Sequence, residues 1–260
     1  MRGLLLTCIA LATIAAGTAF VAAGRQWRDY RTLVESDKLV AEAQELSGEG
    51  RPDRAREKVE EALTVAPRNP RAHRERAMHL IARGRLQEAA RELSIAAKSL
   101  PQDAGAAREA AALYAVLGEH REAVEWLRRA VKAYRYDALA YTMLAENLLA
   151  TEEVEEALNA AEKAVEIAPK IPEAQRTLGL ARWRSGDAAG AVSALEESLR
   201  LRRDDLGALV SLGSVLLELD RTKEAAGYLE RAAAVAPDNQ AVRKLVEATR
   251  RRRAGGDELR

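Results

Sequence analysis

The segment EEALNAAEKAVEIAP, at 155–169, returns 68 residues later as KEAAGYLERAAAVAP, at 223–237. Half of that interval is 34, and a lattice of that period runs through most of the chain. Pro67, Pro101, Pro169 and Pro237 stand on its nodes, with Arg135 and Arg203 at the two others. Twelve residues before each node is an alanine: Ala55, Ala89, Ala123, Ala157, Ala191 and Ala225. Eight before it is Val59, Leu93, Leu127, Ala161, Leu195 or Leu229, and five before it Ala62, Ala96, Ala130, Ala164, Ser198 or Ala232. Another small position, 24 before the node, holds Ala43, Ala77, Ala111, Ala145, Gly179 and Gly213. Gly50, Gly84, Gly118 and Gly186 lie 17 before their nodes, where a first helix needs a left-handed residue to stop. Each period thus holds two helices of roughly 14 residues, too short to bury an apolar stripe alone. Stacked neighbours bury it, so stability becomes a sum over repeats and their interfaces.

These residues resemble the tetratricopeptide repeat, a 34-residue helix–turn–helix unit with small residues where its helices touch. The resemblance covers 36–239, six repeats without an insertion. It implies an all-α fold, a right-handed superhelical solenoid of six repeats closed by a C-terminal capping helix. Repeat six matches best, with Leu209, Leu212, Gly213, Leu216, Ala225, Leu229, Ala232 and Pro237. The first two repeats depart, because Glu42 and Arg76 stand where the others favour leucine. Residues 240–253 read as the cap, with Val242, Leu245 and Val246 to cover repeat six, and 254–260 as a flexible tail.

The N-terminus is a different material. Residues 3–24 carry no charge, and as a helix they would span about 33 Å, enough for a bilayer core of about 30 Å. As a membrane anchor, residues 1–24 would end in Arg25, Trp27, Arg28, Tyr30 and Arg31, a flank suited to lipid headgroups. As a signal peptide, they would be cut near Gly24 after the small residues Val21, Ala22 and Ala23. The arginine cluster favours the anchor over cleavage. Orientation is nearly balanced, with Arg2 and the amino terminus on one side and Arg25, Arg28 and Arg31 on the other; the expectation is a single pass with the repeats on the periplasmic or cell-envelope side, whereas cleavage would leave a secreted or periplasmic protein. Residues 25–35 read as a juxtamembrane linker helix.

The remaining composition narrows the chemistry. Lys+Arg (41) and Asp+Glu (40) nearly cancel, so no global field draws in nucleic acid, and none is expected as a partner. The single Cys8 rules out an intrachain disulfide. His73, His79 and His120 lack ligand spacing and read as solvated or half-buried helix residues. No phosphate-cradling glycine loop and no nucleophile–base pair is evident, so no enzyme activity, cofactor or metal is expected. The basic run Arg250–Arg253 complements a helix C-terminus.

The resemblance also implies where a partner binds: the first helix of each repeat lines a concave groove that takes protein or peptide segments. Arg74, Arg108 and Arg176 fall at groove positions beside Met78, Leu149, Leu180 and Trp183. Such a trough suits a peptide with acidic and aliphatic residues, unless nearby glutamates already pair the arginines. Trp183 follows Arg182, which takes a core position, so the tryptophan either fills that gap or serves as a contact hot spot. The reading is a membrane-anchored scaffold or adaptor. The alternatives are a soluble exported adaptor, or a regulatory subunit of an envelope enzyme or assembly complex.

Overall fold

Each period of the lattice becomes two packed helices in the computed structural model, which describes residues 27–257. Helix α1 covers 27–48. There follow α2 (Pro52–Val65), α3 (Pro70–Ala82), α4 (Leu86–Ser99), α5 (Ala104–Val116), α6 (His120–Ala133) and α7 (Ala138–Ala150). The series continues with α8 (Val154–Ile167), α9 (Pro172–Ser185), α10 (Ala188–Leu201), α11 (Leu206–Glu218), α12 (Thr222–Val235) and α13 (Gln240–Asp257). No strand occurs among the described residues. Residues 1–24, read above as an anchor or signal peptide, lie outside them. Among the described residues no helix is long and apolar enough to cross a membrane.

Local chemistry starts and stops these helices on the same lattice. At every node but Pro169, where Ile171 makes no side-chain cap, the residue two past it caps the next helix: the Asp103, Asp137 and Asp205 carboxylates accept from Ala106, Ala140 and Ala208 backbone N–H at 3.0, 3.0 and 2.8 Å. Asn69 accepts from Arg71 N–H at 2.9 Å in the same way, and Asn239 from Ala241 N–H at 3.0 Å. First helices stop in the left-handed region, at Gly50, Gly84, Gly118 and Gly186. Repeats four and six do so without glycine, at Glu152 (φ 64°) and Asp220 (φ 56°). In all six, the next residue's N–H closes back over the turn at 2.9 Å, from Arg51, Arg85, Glu119, Glu153, Asp187 and Arg221.

The described chain divides after Pro101 into two compact bodies, one containing α1–α4 and the other α5–α13. The lattice alanines are fully buried in both. In the N-terminal body Val40, Ala43, Ala55, Val59 and Ala62 form one cluster. Its two departures from the repeat pattern are compensated in pairs. Glu42 meets Lys58 at 3.5 Å, and Arg76 meets Glu92 at 2.6 Å, so opposite charges replace the apolar contact between a repeat's two helices.

In the C-terminal body one cluster gathers Leu195, Leu209, Leu212, Leu216 and Leu229 with Val242 and Val246 of α13. Gly179 and Gly213 let the helices close up. A Cβ on either would lie 2.6 Å from the Cγ of Leu195 or Leu229 respectively, both fully buried. Helix α13 continues to Asp257, past the boundary at 253 read from the sequence.

Candidate functional site

Within the C-terminal body the first helices touch in succession, α5 with α7, α7 with α9 and α9 with α11. Among the described residues, no contact of this kind joins the second helices α6, α8, α10 and α12 to one another. The first helices are therefore the closer-set side, and their free faces form a concave surface. Polar links join neighbouring first helices along it. Arg108 on α5 is hydrogen-bonded to the Asp137 carboxylate that also caps α7. Arg176 on α9 donates to Glu146 on α7 at 2.9 Å, and Thr177 donates to the same oxygen at 3.1 Å. The Arg176 side chain also crosses to α11, where a Cβ on Gly207 would lie 2.6 Å from its Nη1. Arg108 and Arg176 thus tie first helices together and remain about a third exposed, at 32% and 27%.

The apolar residues of this face lie in the C-terminal halves of α7 and α9. Leu149 and Leu180 are half-buried, on neighbouring helices α7 and α9. Trp183 is half-buried too and packs against the cluster of Leu195, Leu209 and Leu216. Arg182 beside it has its Nε 3.9 Å from Asp187, so the tryptophan supplies the apolar surface that the arginine does not. Thr142, which interrupts the row of arginines, is buried and donates to the Ala138 carbonyl at 2.8 Å. Arg108, Leu149, Arg176, Leu180 and Trp183 thus all lie on first helices of the C-terminal body. Arg74 and Met78 belong to the N-terminal body, on α3, both exposed, with Met78 at 54%.

A polar device of a different kind was hidden in the histidines. His73 is buried, not half-exposed: its Nε2 lies 2.9 Å from the Pro67 carbonyl and its Nδ1 2.7 Å from the Glu92 carboxylate. Gln175 donates to the Pro169 carbonyl at 3.0 Å, and Arg243 to that of Pro237 at 2.6 Å. These three residues hold one lattice position and do one job, satisfying the carbonyl left open where a second helix ends. Burial pushes the Glu92 carboxyl up, but hydrogen bonds from His73 and Arg76, with the charge of Arg76, hold it below the usual carboxylate range. His79 Nε2 lies 3.4 Å from Ser47 Oγ, and His120 Nδ1 2.9 Å from Asn147 Oδ1. No group of three or more His, Cys, Asp or Glu side chains among the described residues could hold a metal ion.

Family models described as tetratricopeptide repeat match residues 40–104, 77–138, 118–173 and 142–205, and a second such model matches 182–248. Solved structures with the same fold include YrrB, titled a TPR protein with an unusual peptide-binding site. It is 20% identical, with a TM-score of 0.57 over 74% of this chain and 97% of that one. MamA from Desulfovibrio magneticus RS-1 is 22% identical, with a TM-score of 0.58 over 66% and 97% of the two chains. Pseudomonas aeruginosa pilF is 15% identical, with a TM-score of 0.62 over 80% and 95%. No curated protein matches the sequence. These likenesses establish the fold class, an all-α helical repeat solenoid. With the repeat models spanning most of the sequence, the chain belongs to the tetratricopeptide-repeat family.

Proposed function

We propose that the chain is a membrane-anchored scaffold that binds an extended segment of a partner protein on the first-helix face of α5, α7, α9 and α11. The observation that carries this reading is the half-buried set of Leu149, Leu180 and Trp183 on adjacent helices that charged pairs tie to their neighbours. An aliphatic segment laid across it would remove that surface from water, while its backbone and side chains meet the rim. Arg108 and Arg176 already have carboxylate partners. An acidic side chain on the ligand would therefore exchange with Asp137 or Glu146, and would gain less than it would from an open guanidinium. Affinity then rests on apolar contact, with charge setting register. The resemblance to YrrB supports a peptide ligand only at the level of the shared fold. Anchoring rests on the uncharged residues 3–24.

A photo-crosslinking amino acid placed at Leu149 or Leu180 in the membrane-bound protein tests this directly. Adducts to one defined protein are expected from these positions and not from the outer-face Glu155 of α8. Leu180→Glu should abolish the adduct formed at Leu149, whereas Arg108→Ala and Arg176→Ala together should weaken it less. Adducts formed equally from Glu155 would discard the concave face as the binding site.

A further inference from the structure

The first nine described residues of α1, 27–35, precede its first side-chain tie to the repeats, the 2.8 Å hydrogen bond from Ser36 Oγ to the Ala62 carbonyl. They form about 13 Å of helix. At 3.6 residues per turn, Trp27, Tyr30, Arg31, Val34 and Lys38 share the face opposite Ser36, Val40 and Ala43, which are fully buried. This outward face is aromatic and aliphatic. Trp27 is 65% exposed and Tyr30 58%, with their rings 5.7 Å apart, and Val34 is exposed as well. The character then changes along the same helix: Glu42 and Glu45 follow, both exposed.

We infer that this stripe docks in the headgroup layer of a lipid bilayer, an inference that rests on the anchoring reading above. The charge-free stretch 3–24 ends three residues before Trp27, so the ring begins where a bilayer core would end. Tryptophan and tyrosine favour that layer because an apolar ring and a polar tip are both satisfied there. Arg25, Arg28 and Arg31 complement anionic headgroups. The layer is about 5–8 Å deep on each side, and Trp27 and Tyr30 lie about 4.5 Å apart along the axis, so both fit within it. The acidic residues beyond Lys38 are repelled by the same lipids, which confines contact to the first turns. Because 27–48 is one unbroken helix, the contact would orient the first repeat relative to the membrane.

Quenching of tryptophan emission by lipids brominated near the headgroup tests the proposal on the full chain. The protein is reconstituted in phosphatidylcholine–phosphatidylserine vesicles and compared with Trp27→Phe, a change at an exposed position. The chain holds three tryptophans, so loss of about one third of the emission is expected in the unsubstituted protein and little in Trp27→Phe. A chain that floats with the vesicles and quenches equally in both forms would overturn the docking and leave the anchor standing. A chain that does not float with the vesicles would overturn both.

Discussion

Glu152 and Asp220 occupy left-handed backbone that glycine fills in the other four repeats. The phase of the lattice singles out both positions, but only glycine has a composition that announces the conformation, so four of the six turns were legible and two were not. A Cβ in this region raises the energy by about 1–2 kcal/mol, less for aspartate, whose short side chain tolerates it. Glu152→Gly should therefore stabilise the protein by about 1 kcal/mol in urea unfolding, and Asp220→Gly by less; a loss in both would mean that the strain is already relieved. Glu92 gives the other residue-scale expectation. Its carboxyl is held below the ordinary range in the folded state, so its contribution is fully present above the unfolded carboxylate range, near 4.5. That contribution should fade as pH falls through the lower folded value. In acid titrations of unfolding, Glu92→Gln should flatten this part of the profile and lower stability at neutral pH by about 2 kcal/mol, since His73 and Arg76 lose a charged acceptor.

At the scale of helices, the small residues decide spacing. Ala157 on α8 is fully buried, whereas Glu155, two residues earlier, is exposed. Ala157→Leu should lower stability by about 1–3 kcal/mol through overpacking, while Glu155→Leu should move it by about 0.5 kcal/mol or less. Equal shifts in thermal midpoint would show that the face of α8 is wrongly assigned. The alanine lattice carried this information in the sequence because a close approach admits few residue types. The caps were nearly as periodic, with Ile171 the exception, yet Asn69, Asp103, Asp137, Asp205 and Asn239 read singly as ordinary loop residues. The pairing of the groove arginines was harder to see. Arg108 and Arg176 find their carboxylates 29 and 30 residues away on a neighbouring helix, off the 34-residue period, and only packed helices reveal which acid lies within reach. The exchange of Glu42–Lys58 for Arg76–Glu92 is likewise invisible until the two helices of a repeat are placed together.

For the molecule as a whole, the sequence carried the fold because six weak signals agreed in phase, while a binding face depends on which polar groups are already used. The proposed anchor rests on composition alone and has its own test. The intact chain should remain in the membrane fraction after a high-salt wash, because salt screens the Arg250–Arg253 run and leaves apolar burial in lipid untouched. Appearance of a soluble chain beginning near Gly24 would establish the exported form instead. The close approach at Gly179 and Gly213 has a consequence for how such a chain can be rearranged by gene duplication. Each glycine is matched to a leucine of its own repeat, Leu195 or Leu229, while repeat four sets Ala145 and Ala161 at the equivalent places. A recombination junction falling between repeats keeps every such couple intact. One falling inside a repeat would leave Gly179 facing the short side chain of Ala161, whereas Ala145 against Leu195 would only repeat the couples Ala77–Leu93 and Ala111–Leu127. Equal length makes the modules look exchangeable at any point, but a breakpoint that parts a glycine from its leucine opens a void, and one at a repeat boundary does not.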